Sequence, residues 1–219
     1  MKIYGENQYG RYVFPQDLSH RPVCKYLLNN KVWESDTVEF VKNNINNESI
    51  IHAGAFIGDM LPAFSSFTDN KIYAFEPVDE HYQFAKMNME INSLTNVVLK
   101  HNALSNIARD LKIKTRGNAI KLGGGSHICK DGDEKVAAIK LDDAVPLTEK
   151  ISIIHLDVER HESQALEGAM AIIERNLPLL IVETLPNKKI LQALNELGYL
   201  VESSFKRLDR NYCISPKIS

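Results

Sequence analysis

Five short apolar runs constrain the fold of this chain more than any other feature. They are Ser49-Ile50-Ile51-His52-Ala53, Lys71-Ile72-Tyr73-Ala74-Phe75, Asn96-Val97-Val98-Leu99, Ile151-Ser152-Ile153-Ile154-His155-Leu156 and Pro178-Leu179-Leu180-Ile181-Val182-Glu183. Near-continuous apolar strands belong to a parallel sheet covered on both faces, not to a sheet with one wet side. Helical signals lie between them. Asp36 with Glu39 forms a capping-box pattern ahead of Phe40, Val41 and Ile45, which predicts a helix over about 36–46. A second helix is expected over roughly 79–92, and Ala165, Leu166, Ala169, Ile172 and Ile173 share one face at helical spacing. The alternation predicts a doubly wound α/β fold, mostly parallel. An antiparallel edge would come from Tyr199-Leu200-Val201 and Asn211-Tyr212-Cys213-Ile214. Only the stretch over about 108–140 breaks the rhythm. It carries Gly123, Gly124, Gly125 and Asp131-Gly132-Asp133 between strand-like Leu111-Lys112-Ile113 and Val136-Ala137-Ala138-Ile139, and reads as a hairpin-like excursion with a mobile loop.

The length of 219 residues suits one domain, read as 1–219 with a cap or lid region over 1–47 and the α/β core over 48–219. With 26 basic and 28 acidic side chains the formal charge is -2, and there is no basic run of five or more. Nothing here favours a polyanion, so no nucleic-acid partner is expected. Cys24, Cys129 and Cys213 are far apart and form no CxxC pair, which reads as free thiols in a reducing compartment. The first residues carry no apolar stretch after their charge, and no apolar run is long enough for a bilayer. A cytoplasmic protein without membrane partners is expected; its oligomeric state is open, and a homodimer is compatible with it.

The residues that carry chemistry cluster at the ends of the runs. The first leads into Gly54-Ala55-Phe56-Ile57-Gly58, where glycine lets the backbone turn sharply and approach a ligand without a Cβ in the way. A dinucleotide fingerprint would need glycine where Phe56 and Asp59 stand. What remains, Gly-x-x-x-Gly, also suits a plain strand-to-helix turn. Glu76 ends the second run, directly before Pro77. A carboxylate there, beside the glycine loop, can accept hydrogen bonds from both hydroxyls of a ribose. Loop and acid together fit an adenosine-containing ligand without a pyrophosphate. Asp157-Val158-Glu159-Arg160-His161-Glu162 follows the fourth run and shares the rim where open α/β sheets bind ligands. Its acids and His161 offer a base and a polar grip, although for Glu162 a favourable place at a helix N-terminus is the better reading.

Taken in order, His-Ala-Gly-Ala-Phe-Ile-Gly, Tyr-Ala-Phe-Glu-Pro, Asn102-Ala103-Leu104-Ser105, Leu141-Asp142-Asp143, Leu156-Asp157-Val158-Glu159, Leu166-Glu167-Gly168-Ala169 and Ile181-Val182-Glu183 resemble the FkbM family of methyltransferases across roughly residues 48–184. The Gly-Gly-Ser at 124–126 resembles the insertion that precedes the Leu-Asp-Asp of that family. The resemblance implies a Rossmann-like class I methyltransferase sheet, S-adenosyl-L-methionine as cofactor, and a hydroxyl of a small molecule or carbohydrate as methyl acceptor. It further implies that His52, Ala53, Gly54, Ala55, Phe56 and Gly58 wrap the methionine moiety, that Glu76 and Pro77 hold the ribose, and that Asn102 and Ala103 flank the adenine. Asp157 and Glu159 would line the space between methionine and acceptor. The chain departs from the family pattern at four positions: His52 for Asp, Phe56 for Asn, His155 for Lys and Arg160 for Gly. Arg160 places a long cation beside the expected acceptor site, which suits either an anionic acceptor or a solvated surface.

Methyl transfer from a sulfonium needs nucleophile, carbon and sulfur in line, and for a hydroxyl acceptor a base to take its proton. The candidate catalytic residues are Asp157, Glu159, His161 and His155. No tight ligand spacing appears, so no metal is expected. Two other readings stay open: a nucleic-acid methyltransferase on the same fold, and a cofactor-binding homologue that has lost catalysis.

Overall fold

The computed structural model describes residues 1–118, 120–201 and 205–217. In chain order the elements are β1 (Lys2–Asn7), β2 (Gly10–Pro15), α1 (Pro22–Leu28), α2 (Ser35–Asn44), β3 (Ser49–Ala53), α3 (Leu61–Ser65), β4 (Ile72–Phe75), α4 (Asp79–Ile91) and β5 (Val97–Lys100). An excursion follows, made of β6 (Ala103–Leu104), β7 (Arg109–Lys114), β8 (Arg116–Gly117), β9 (Ile120–Lys121), β10 (His127–Ile128) and β11 (Glu134–Ile139). The second half holds α5 (Leu141–Ala144), β12 (Ile151–Leu156), α6 (Glu162–Glu167), α7 (Met170–Asn176), β13 (Leu179–Val182), α8 (Lys188–Glu196), β14 (Lys206–Leu208) and β15 (Asn211–Ile214).

The five apolar runs form the middle of a seven-stranded sheet of order β14-β15-β13-β12-β3-β4-β5. Every residue of β3, β4 and β12 is buried, as strands without a polar alternation require. Successive side chains point to opposite faces. Ile51, Ala53, Ile154 and Leu156 therefore meet the side of α6, α7 and α8, while Ile50, Ile72, Ile153 and Ile181 meet α2 and α3. The five strands from β13 to β5 run parallel, and β15 and β14 add the antiparallel edge. From β3 the chain moves outward to β4 and β5; from β12 it moves the other way to β13. The carboxyl ends of β3 and β12 flank the point of reversal, where open α/β sheets leave a crevice.

Three local expectations are corrected by tertiary contacts. The helix foreseen over 36–46 begins at Ser35 without a capping box. Its N-cap residue, Glu34, is left-handed and caps with no side chain. The N–H of Thr37 instead donates to Asp209 Oδ2, 2.9 Å away in the β14–β15 turn. The apolar stripe at 165–173 is split into α6 and α7. Gly168 packs so closely on Ser105 that a Cβ would fall 2.1 Å from its carbonyl oxygen, and Asp142 accepts the N–H groups of Ala171 and Ile172 at 3.1 and 3.0 Å. Tyr199-Leu200-Val201 is not a strand: Tyr199 makes a lone bridge to Pro216 and donates its hydroxyl proton to Pro178 O at 2.7 Å, and β15 pairs with β14 instead.

The excursion is built around an antiparallel pair, β7 with β11, as its strand-like flanks predict. The β1–β2 hairpin is pinned to the core by Asn88 of α4, which accepts from Val13 N at 2.7 Å and donates to Val13 O and Ile57 O at 3.1 and 2.8 Å. Among the described residues no helix is long and apolar enough to cross a membrane.

Candidate active site

A cleft opens at the carboxyl ends of β3, β4 and β12; its space, mouth included, is about 830 Å³. Ten of the residues singled out from sequence line it: His52, Ala53, Gly54, Phe56, Glu76, Pro77, Asn102, Ala103, Asp157 and His161. Four do not. Ala55 is buried in the turn, Gly58 packs against α4, His155 is enclosed within the sheet, and Glu159 stands on the rim.

The floor is the turn after β3. Gly54 N and Ala55 N both donate to Phe75 O at 3.0 Å, and Asp157 N donates to Ala53 O at 3.0 Å, which ties the turn to β4 and β12. Gly54 has φ +83°, and a Cβ there would fall 1.8 Å from Asp157 O, so glycine is required twice over. Gly58, φ +77°, serves packing, since its missing Cβ lets Ala85 of α4 approach. Phe56 is also left-handed at φ +49°. Its N–H donates to Glu76 Oε2 at 2.7 Å while Val78 N donates to Oε1 at 2.9 Å. Glu76 thus holds the loop in a conformation that a side-chain-bearing residue rarely adopts. A carboxylate offers about four lone-pair sites, so these two bonds do not exhaust it; the His81 ring also lies near, its Nδ1 3.5 Å from Oε1, and Glu76 lines the cleft.

His52 and His155 are register partners on β3 and β12. Their rings stack at 4.9 Å with Nδ1 to Nδ1 at 3.0 Å, and Phe64 packs edge-on to both. Burial holds His52 well below its usual pKa and lowers His155 to about 4. Both are neutral at pH 7, and one ring donates to the other. His155 is fully buried and has no face on the cleft, so the structure removes it from the reach of an acceptor.

The acidic side of the cleft follows from register. Leu156 and Val182 are the last paired residues of β12 and β13, and Glu183 N donates to Leu156 O at 3.1 Å, so Asp157 and Glu183 leave the sheet side by side. Carboxylate oxygens of Asp157, Glu159 and Glu183 all lie within 4.8 Å of one another. Burial, then the charges of Glu183, Glu34 and Glu159, pushes the Asp157 carboxyl well above its ordinary range. Glu159 is raised by burial and by Glu183, with Arg210, His127 and Arg21 pulling the other way. Glu159 (φ +51°) and Arg160 (φ +72°) form a left-handed pair that turns the chain toward α6. Arg160 is exposed. His161 lines the cleft, its Nε2 3.1 Å from Ser105 Oγ, and burial lowers its pKa, so it is neutral at pH 7. Glu162 lies in the first turn of α6, as expected of an acid at a helix N-terminus, and is buried.

Residues 52–201 match the family described as Methyltransferase FkbM domain, well over half of the chain. The chain belongs to the FkbM methyltransferase family. Membership makes S-adenosylmethionine the cofactor of this methyltransferase. Among solved structures, a methyltransferase FkbM from Methylobacillus flagellatus KT superposes with a TM-score of 0.53 at 17% identity, covering 76% of this chain and 42% of that one. A 16S rRNA methyltransferase of T. thermophilus, in complex with AdoMet and guanosine, gives 0.51 at 11% identity, covering 99% of this chain and 50% of that one. At such identities the likeness concerns the fold, and this chain spans half or less of either structure. No curated protein matches.

In this FkbM methyltransferase several lining residues escape a reading of the sequence. Asp59 faces the cleft, and burial raises its carboxyl to about 7. Its position draws notice in sequence only as the missing third glycine of a dinucleotide fingerprint. Val23 and Trp33 arrive from the N-terminal region, and Ile113, Gly123, Gly124, Ser126 and Ile128 from the excursion. No local pattern marks Val23, Trp33, Ile113 and Ile128 as cleft residues, because their place depends on how β1–α2 and β7–β11 fold over the strand ends; the glycine segment that brings Gly123, Gly124 and Ser126 does stand out in the sequence. The glycine segment forms a single 3-10 turn over Phe56, with Arg21 packed against Gly123.

Proposed function

We propose that this methyltransferase moves a methyl group from S-adenosylmethionine to a hydroxyl oxygen of a small molecule or carbohydrate. The observation that carries this reading is the sign of the charge on the acceptor side. Asp157, Glu159 and Glu183 gather there within 4.8 Å, which repels a phosphate backbone and suits a neutral, hydroxyl-bearing acceptor.

The lining residues fit the cofactor. Glu76, which anchors Phe56 and Val78 and still has acceptor capacity, lines the cleft with Pro77 and is the acceptor for the ribose hydroxyls. Asn102, Ala103, Ile113 and Ile128 provide a mixed polar and apolar slot for the adenine. His52, Ala53, Gly54 and Phe56 border the methionine moiety, and Asp59 and Asp157 offer acids to its ammonium. When bound, the cofactor supplies a methyl group already activated on a sulfonium sulfur. The protein then has to align the acceptor and receive its proton. His161 is neutral, faces the cleft and is steadied by Ser105, so it is the base of choice, with Asp157 and Glu159 orienting the hydroxyl.

Labelled cofactor, offered with a panel of sugars and hydroxylated small molecules and with RNA alongside, tests this. Label is expected in an O-methyl group of a small acceptor; label confined to RNA would overturn the reading.

A further inference from the structure

The acidic trio on the rim is more than a polar grip. We propose that Asp157, Glu159 and Glu183 form a site for a hard divalent cation, Mg²⁺ or Mn²⁺, which holds the acceptor's hydroxyl beside the cleft. This deepens the O-methyl reading and rests on it.

Asp157 and Glu183 follow the last register pair of two adjacent parallel strands, and like charges placed opposite one another across strands destabilise a sheet. A cation, or a proton held between them, has to offset the two. Arg210 reaches only one oxygen, its Nη2 lying 2.7 Å from Glu183 Oε1, and its own side chain is 57% exposed. Asp157 Oδ1 is enclosed and has no hydrogen-bond partner among the described residues, while the Asp157 carboxyl as a whole lies against that of Glu183. Glu162, 1% exposed in the first turn of α6 and outside the trio, has a second enclosed carboxylate oxygen without a partner among the described residues, Oε1. Enclosed, unpartnered carboxylate oxygens are costly unless a cation or a proton satisfies them. Three convergent carboxylate oxygens and no nitrogen or sulfur donor select a hard cation. Mg²⁺ keeps open positions when bound by few carboxylates, and one of these would take the acceptor oxygen. The coordinated hydroxyl becomes more acidic and passes its proton to His161. The O–CH₃ bond then forms as the CH₃–S bond breaks, and the sulfur keeps the electron pair as a neutral thioether.

The test needs no acceptor. Trp33 is the single tryptophan and lines the same cleft as Asp157, so Tb³⁺ bound at the trio is sensitised through it. Purified protein without cofactor is expected to give saturable Tb³⁺ luminescence that Mg²⁺ and Mn²⁺ displace, and to bind Mn²⁺ by electron paramagnetic resonance below about 1 mM. Asp157→Asn and Glu183→Gln should each weaken Mn²⁺ binding about tenfold or more. Glu159→Gln, on the rim, gives a third variant should either of those fail to fold. No saturable Mn²⁺ binding by the wild type, or equal binding by folded variants, overturns the site. Calorimetry of S-adenosylmethionine on metal-free protein separates the two levels. Cofactor binding with no cation binding removes only the cation site, whereas no cofactor binding removes the reading beneath it.

Discussion

Glu76 does two things at once, and the two can be measured apart. Its carboxylate satisfies the N–H groups of Phe56 and Val78, and Glu76 also lines the cleft in which the ribose is proposed to sit. Glu76→Ala should weaken cofactor binding tenfold or more, since charge-assisted hydrogen bonds contribute about 1.5–3 kcal/mol. It should also lower Tm, because Phe56 would stay left-handed without its acceptor. An unchanged dissociation constant in calorimetric titration would remove the ribose assignment. His52 and His155 stand where the family pattern has Asp and Lys, and the register pairs the two departures on neighbouring strands. One neutral stacked pair therefore occupies both positions. Burial keeps the folded pKa of His155 at about 4, below that of the unfolded chain. Its stabilising contribution is complete above the unfolded value and declines as pH falls from about 6.5 towards 4. His155→Gln should consequently lose less Tm than the wild type between pH 7 and 4.5. Parallel Tm profiles for the two proteins would contradict the neutral pair.

The segment after β12 is where element geometry becomes chemistry. A strand end places Asp157 in the cleft, the left-handed pair at Glu159 and Arg160 swings the chain aside, and His161 returns to the cleft as α6 begins. Extended geometry would put residues 157 and 159 on one face; the turn instead puts one in the cleft and one on the rim. Removing a base or an aligning group typically costs about 10²–10⁴ in rate. Asp157→Asn and Glu159→Gln are expected to lose turnover on that scale. If the two acids served only to start the helix, the loss would be about 1 kcal/mol of stability instead. Glu159→Gln, away from the cofactor side, should bind cofactor as the wild type does. Wild-type turnover in two stable variants would place the active site elsewhere.

At the scale of the whole molecule, the cleft is completed by segments remote in the chain. Val23 and Trp33 come from the N-terminal region, whose hairpin is held on α4 by apolar packing, by three hydrogen bonds of Asn88, a residue 1% exposed, and by two of Asn92 to Arg11. Asn88→Ala would leave Val13 N–H and the carbonyls of Val13 and Ile57 enclosed and unpaired, at about 1–3 kcal/mol each before relaxation. The expected outcome is a clear fall in Tm together with weaker cofactor binding, although Asn88 does not line the cleft. Unchanged affinity in a folded variant would show that this anchoring by Asn88 does not shape the cofactor site.

Strand positions, the parallel sheet, the glycine turn and the acid at the end of β4 were all legible along the chain. They rest on apolar runs, turn chemistry and the direction of strands, which are local properties. The helix start at Ser35, the break at Gly168 and the replacement of Tyr199-Leu200-Val201 by β14 at the edge were not legible. Each is decided by a partner remote in sequence: Asp209, Ser105 with Asp142, and Pro178. The site divides the same way. Gly54, Glu76, Asp157 and His161 announce themselves by ending strands or opening a helix. The pairing of His52 with His155, the approach of Glu183 to Asp157, and the arrival of Asp59 and Trp33 at the cleft follow from sheet order and register. Those are settled by which faces can be buried together, not by any residue's neighbours in the chain.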